Sequence, residues 1–242
     1  MSVETGTDSD YGLLDTRYAI YFAPAPSSRI KHFADAWLGR DPDRDERVSQ
    51  PVVDGISAAR LHEITAAPRH YGFHATLKAP FTPARGVEAT ALVGDVEAFA
   101  ASRRALSVRL EVAELDGFLA LMPAGPAPEI DRLAADCVLA FDRYRGRLSP
   151  EDRERRKAAA LSDAERDHLD KWGYPYVFDR FRFHMTLTGR LEQPERGKVR
   201  AILHAALAPH LTQPVPLDQL ALFTQTHRVA PFRVVARFPF RA

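Results

Sequence analysis

The sequence predicts an α+β fold with an antiparallel or mixed sheet. Three observations lead there. Strand-like and helix-like segments are interspersed rather than strictly alternating. Asp116-Gly117, a favoured hairpin turn pair, separates two runs that read as strands. Two segments, 71–78 and 181–188, read alike and stand close to half the chain apart, which suggests two similar lobes made by duplication.

The elements follow from local pattern. Residues 17–23 are aromatic and β-branched and end at Pro24, so they read as a strand. Ser27-Ser28 opens a helix through Trp37-Leu38, closed by Gly39. Residues 40–54 are charged, hold two prolines and read as a loop. A short helix at 58–64 precedes the segment Arg69–Phe81, and a helix follows from Glu88 to Ser102. Leu106–Leu115 and Phe118–Met122 form the hairpin, and Pro126 begins a helix to Tyr144. Residues 149–171, rich in Glu, Arg, Lys and Ala, read as a solvated helical hairpin; because they lead into the second repeat, they are also a candidate lid. Glu195–Leu207 is helical, and Leu217–Thr226 with Phe232–Phe240 alternate like a closing pair of strands. Residues 1–12 are expected to be a flexible tail and 13–242 a single domain.

Composition bounds the function. The 242 residues carry 33 Lys+Arg against 32 Asp+Glu, a formal net charge of +1. That balance excludes a strongly basic nucleic-acid scaffold, though not a local basic cleft. The single cysteine, Cys137, excludes an intramolecular disulfide and a cysteine-rich zinc site and reads as a small buried residue. No run approaches the roughly 18 apolar residues of a membrane span. The acidic, polar start lacks the pattern of a signal peptide, so the expectation is a cytoplasmic protein without membrane contact.

The repeat carries the chemistry. Tyr71-Gly72-Phe73-His74-Ala75-Thr76-Leu77-Lys78 aligns with Phe181-Arg182-Phe183-His184-Met185-Thr186-Leu187-Thr188, sharing Phe, His, Thr and Leu at equal offsets. On a strand, side chains alternate between faces. Phe73, Ala75 and Leu77 then share one apolar face, as do Phe183, Met185 and Leu187. The other face carries His74, Thr76 and Lys78 in one copy and Arg182, His184, Thr186 and Thr188 in the other. On a helix, His and Thr would lie about 200° apart, mixed with the apolar residues. Two such strands facing across a cleft suit phosphoryl chemistry. One imidazole can act as base and its twin as acid. Thr76 and Thr186 can hydrogen-bond non-bridging oxygens. Lys78 and Arg182 can offset phosphate charge.

Other residues are weaker candidates. His70 shares strand parity with His74 but stands at a strand entry; His62, His168, His204 and His210 fall on helices or their ends. Tyr18 and Tyr21 lie on opposite faces of the first strand, so one can line a cleft. Tyr174 and Tyr176 precede the second motif and could stack on a base or ribose; Gln225 and His227 sit at a strand end near a turn; Trp37 and Trp172 read as packing residues.

With both motifs in view, the sequence resembles the two-histidine (2H) phosphoesterase superfamily, whose mark is a pair of His-x-Thr/Ser motifs. The longer strings Tyr71–Phe81, Trp172-Gly173-Tyr174-Pro175-Tyr176-Val177 and Phe181–Gly189 look like the branch linked to phosphonate-degradation (carbon–phosphorus lyase) gene clusters. The resemblance runs from about Arg17 to Phe240. It implies a bilobal fold, two pseudo-symmetric α/β lobes with antiparallel sheets around a central cleft and exchanged strands. It also implies a cyclic phosphodiesterase with no cofactor or metal, with His74 and His184 as catalytic pair and Thr76 and Thr186 as phosphate binders.

The leading expectation is therefore a metal-independent hydrolase opening a ribose cyclic phosphate or a nucleoside 2′,3′-cyclic phosphate. Its partner would be a small phosphorylated or nucleotide-like substrate, with short RNA ends as an option and no long nucleic acid. Two other readings stay open at this point. One is a non-catalytic nucleotide- or RNA-binding module using the same cleft. The other is a metal-dependent hydrolase with His74 and His184 as ligands, although no His-x-x-x-His or His/Asp cluster surrounds either motif.

Overall fold

The computed structural model describes residues 16–156 and 160–241. The expected tail at 1–12 lies outside them. In chain order the first half runs β1 (Arg17–Phe22), α1 (Arg29–Leu38), β2 (Arg40–Asp41), β3 (Glu46–Arg47), α2 (Ala58–Ile64), α3 (Ala66–Tyr71), β4 (Ala75–Phe81) and α4 (Ala89–Ala101). The second half runs β5 (Leu106–Val108), β6 (Leu110–Leu115), β7 (Phe118–Pro123), α5 (Pro128–Phe141), α6 (Pro150–Arg155), α7 (Asp163–Trp172), β8 (Met185–Thr186), α8 (Glu195–Leu207), β9 (Val215–Leu217), β10 (Gln219–Gln225) and β11 (Arg233–Pro239).

Seven strands form one sheet in the order β11-β10-β1-β4-β8-β7-β6, and every adjacent pair is antiparallel. The class is α+β, as expected. The expectation of two sheets around a cleft is corrected: β4 and β8 hydrogen-bond to each other, so the two motifs stand side by side in a continuous sheet. The second motif is also less regular than a full strand. Only Met185 and Thr186 are in β8, and residues 181–184 approach it without ladder bonds.

One face of the sheet is the main core. Ile20 and Phe22 of β1, Ala75 and Leu77 of β4, Leu119 and Leu121 of β7, and Met185 and Leu187 at the second motif are buried there. They pack with Trp37 of α1, Val96 of α4, Phe141 of α5 and Leu203 of α8. Cys137 is fully buried in the same core, where desolvation pushes its thiol well above the usual range and leaves it inert. The opposite face carries a smaller cluster, Ala19, Tyr21, Ala23, Ala221, Phe223 and Phe232. This is the face that positions the motif polar groups.

Local chemistry explains most boundaries. Gly39 closes α1 in the left-handed region at φ 81°, donating to the carbonyls of Asp35 and Ala36. Ser162 and Glu165 form a capping box at the start of α7. Asp116 and Gly117 have φ of 49° and 87°, the pair of positive values that a type I′ hairpin turn requires. No helix among the described residues is long and apolar enough to cross a membrane.

Trp37 links the helical layer to the second motif: its Nε1–H donates to the Leu187 carbonyl at 2.9 Å. Trp37→Phe leaves that buried carbonyl without its donor, at a cost of about 1–3 kcal/mol. Thermal unfolding is expected to show a fall of several degrees; an unchanged midpoint would show that the bond contributes nothing.

Candidate active site

The site follows from the pairing of β4 with β8. Ala75 lies opposite Met185, and both point into the main core. On that antiparallel register His74 faces Thr186 and Thr76 faces His184, all turned to the other side of the sheet. Cross-strand neighbours of this kind sit about 5 Å apart at Cβ. Two imidazoles and two hydroxyls therefore form a diagonal square.

Each imidazole is held in the same way. His74 Nδ1 lies 2.9 Å from the Gly72 carbonyl oxygen, and His184 Nδ1 lies 2.7 Å from the Arg182 carbonyl oxygen. A carbonyl only accepts, so Nδ1 carries the proton in both rings and Nε2 is the free nitrogen. Thr76 Oγ1 is 3.3 Å from His74 Nε2 and can donate to it. The two-residue spacing between carbonyl and imidazole recurs in both copies.

The two rings differ in environment. Tyr21 stacks on His74 with centroids 3.9 Å apart, and Tyr71 and Phe223 lie at 5.9 and 6.0 Å. Desolvation pushes the His74 pKa from 6.5 down to about 4; the Gly72 carbonyl opposes this and the nearby His184 adds to it. His184 is also held below 6.5, again chiefly by burial, with the Arg182 carbonyl and the Asp116 carboxylate opposing the shift.

A cleft of about 610 Å³ opens beside this face. Thr76, His184, Arg182, Phe118, Tyr174 and Tyr176 line it. His74 is not on its wall but touches the wall residue Thr76. Thr186 is half-buried next to His184, in ladder register with Ala120.

Lys78 is placed otherwise than expected. The β1–β4 register shifts between Tyr21, paired with Thr76, and Ile20, paired with Lys78. An extra residue in β4 at this bulge inverts the alternation, so Lys78 follows Ile20 to the core side. There its ammonium donates to Asp142 at 3.1 Å, with a side chain 4% exposed. His70 is corrected too. It lies in α3, not at a strand entry, and its Nε2 is 3.1 Å from Gln225 Nε2. Tyr71 ends the same helix. Thr188 is buried, accepting from the Leu119 N–H at 3.0 Å. Among the other histidines, His168 faces the Pro175 carbonyl and Asp179, and His62 faces Arg69.

Some residues of the site escape sequence reasoning. The stack of Tyr21 on His74 joins strands distant in sequence. Asp116 beside His184 is signalled only as a turn residue. Gln225, which ends β10 as its place at a strand end suggests, is 1% exposed and accepts from Arg17 at 3.0 Å, a bond that no local pattern signals. Among the described residues, no group of three or more His, Cys, Asp or Glu side chains is placed to hold a metal ion.

Gly72 has φ 77° and ψ 175°, and a Cβ there would stand 2.6 Å from Pro42 Cγ. Its carbonyl also orients His74. Gly72→Ala is therefore expected to lower stability by roughly 1–3 kcal/mol and to disturb the His74 tautomer. Unfolding midpoints and imidazole NMR shifts check this; wild-type values for both would contradict it.

The chain is similar to two curated proteins, each named ribose 1,5-bisphosphate phosphokinase PhnN. The one from Janthinobacterium sp. (strain Marseille) is 38% identical over 230 residues, covering 93% of this chain and 51% of that protein. The one from Laribacter hongkongensis (strain HLHK9) is 37% identical over 218 residues, covering 90% and 50%. The chain thus spans about half the length of these relatives. Among solved structures, a conserved protein of unknown function from Agrobacterium tumefaciens str. C58 aligns over 92% of this chain and 86% of that chain, with a TM-score of 0.42 and 11% identity, a likeness too weak to carry an argument. Residues 76–233 match the family described as "Protein of unknown function (DUF1045)", and the chain belongs to that family.

Proposed function

We propose that this protein hydrolyses a small ribose cyclic phosphate to a phosphomonoester by paired-histidine acid–base catalysis, as a 2H-type phosphoesterase. The observation that carries the reading is the matched pair of imidazoles, each with Nδ1–H bound to the carbonyl two residues back and each next to a threonine hydroxyl on one sheet face.

The roles follow from the environments. His74, the more strongly depressed imidazole, stays neutral and takes the proton of water at Nε2. The water oxygen attacks phosphorus as the ring P–O bond on the far side breaks. His184, with Asp116 favouring its charged form, donates its Nε2 proton to the departing ribose oxygen. One proton enters at His74 and one leaves at His184, so the pair resets by exchange with solvent. Thr76 and Thr186 donate to the non-bridging oxygens as their charge grows. Arg182, exposed at the cleft, offsets the phosphate charge.

The relatives' name supports a phosphorylated pentose. Opening a ribose cyclic phosphate leaves a ribose phosphomonoester, the class of compound in that name. The present sequence contains no Gly-x-x-x-x-Gly-Lys-Ser/Thr loop to cradle a nucleoside triphosphate. We assign the phosphokinase in that name to the half of those relatives that this chain does not match. A place in phosphonate metabolism and a cytoplasmic location complete the proposal. Tyr174 and Tyr176 at the cleft favour one second reading, a binding module that stacks a nucleotide base.

Turnover on ribose cyclic phosphates, nucleoside 2′,3′-cyclic phosphates and short RNAs ending in one, with chelator present, tests the proposal. His74→Ala and His184→Ala should each cost at least about 10²-fold in kcat while ligand affinity persists. Activity that chelator abolishes would favour a metal-dependent enzyme, and binding without turnover would favour the module. The pH dependence has a fixed sign. Both imidazoles titrate below 6.5, so kcat/KM should rise as His74 loses its proton near pH 4 and fall as His184 loses its own below 6.5. The bell should peak on the acid side of 6.5; a flat profile from pH 5 to 9 would contradict it.

A further inference from the structure

Beyond the aromatic residues around His74, two half-buried guanidiniums have no carboxylate partner among the described residues. Arg17 lies on β1 on the same face as Tyr21, about 13 Å of strand away, a gap that its side chain partly closes. Its Nη1 donates to Gln225 at 3.0 Å, and its guanidinium sits 5.7 Å from the Phe232 ring. Phe232 stacks on Tyr71 at 5.1 Å, and Tyr71 lies 5.9 Å from His74. Arg156, just after α6, donates to the Pro80 carbonyl at 3.4 Å and lies 5.2 Å from the ring of Tyr174, a cleft residue. Neither arginine forms an ion pair with any described residue.

The local charge is unbalanced. Asp152 is near both guanidiniums, but Arg228 already grips both its oxygens at 2.7 and 2.9 Å. With Arg155 at 3.8 Å as well, four arginines thus share one carboxylate. Burial first, and then the charge of a neighbouring guanidinium, hold both Arg17 and Arg156 below the ordinary arginine range: Arg228 acts on Arg17, and Arg17 on Arg156. A guanidinium has five donors, and among the described residues each uses one of them in a hydrogen bond, to Gln225 and to the Pro80 carbonyl. Keeping two such charges partly desolvated is costly unless an anion completes them. The tyrosines around them make neutral walls for a sugar.

We propose that Arg17 and Arg156 form a second anion subsite for a terminal phosphomonoester on the same substrate whose cyclic phosphate lies at His74 and His184. Gln225 acts as a positioning residue by fixing Arg17. The proposal rests on the proposed function for the cyclic group but not for the anion. It narrows the substrate to a sugar cyclic phosphate that bears a further phosphate on another carbon.

Two measurements separate the claims. In the first, ribose 5-phosphate and ribose are titrated calorimetrically into the full chain. Ribose 5-phosphate should bind at least about tenfold more tightly, and Arg17→Gln and Arg156→Gln should each remove about tenfold of that gain. Arg156→Lys should restore part of it. In the second, kcat/KM is compared for ribose cyclic phosphates with and without a 5-phosphate. The phosphorylated form should be preferred by at least tenfold, and the arginine variants should lose that preference while still turning over the unphosphorylated form. Equal binding of ribose and ribose 5-phosphate would overturn the subsite, as would a preference kept in both Gln variants or lost only in His74→Ala. If Arg17→Gln does not unfold cooperatively, Arg156→Gln and Arg156→Lys decide. Arginine-dependent binding without any turnover would uphold the subsite and refute the hydrolase.

Discussion

The pairing of β4 with β8 is the constraint on which the site depends. With Ala75 opposite Met185, the apolar residues of both motifs enter one core and all four polar groups emerge on the other face. A slip of one residue would bury His74 or Thr76 and expose Ala75. The register is held by packing on its apolar side, through Phe73, Leu77, Phe183 and Leu187, and by the Trp37 bond to the Leu187 carbonyl. The core therefore sets the spacing of the four polar groups.

On the polar face the backbone does the orienting. A carbonyl two residues before each histidine takes Nδ1–H, and Gly72 makes this possible in the first copy by a conformation open to glycine alone. The copies then diverge. Tyr21 covers one imidazole and dries it, while Asp116 at a hairpin turn supports the charge of the other. An approximately symmetric frame thus yields two unlike titrating groups, which acid–base catalysis requires.

Much of this is legible in the sequence. The alternation of Phe73, Ala75 and Leu77 against His74 and Thr76 places the faces. Asp116-Gly117 marks the hairpin, and the matched repeat marks the histidines. What fails is non-local. A bulge in β4, set by its pairing with β1, turns Lys78 from the cleft to Asp142, and a period-two reading cannot see it. The short helix α3 places His70 and Tyr71 off the strand because the helix runs to Tyr71 and ends only at Gly72. Arg17 and Arg156 lie in segments that read as a strand start and a charge run; only the fold brings them near each other, beside the rings of Phe232 and Tyr174.

The central claim is that two Nδ1-protonated imidazoles on one face hold different proton affinities. Imidazole ¹⁵N NMR of the full chain across pH 3–8, with assignments from His74→Ala and His184→Ala, tests it most directly. Nε2 should be the unprotonated nitrogen in both neutral rings, with His74 titrating near 4 and His184 held below 6.5 by burial, its separate step set by Asp116. Nε2-protonated rings, or two histidines titrating together at 6.5, would contradict it.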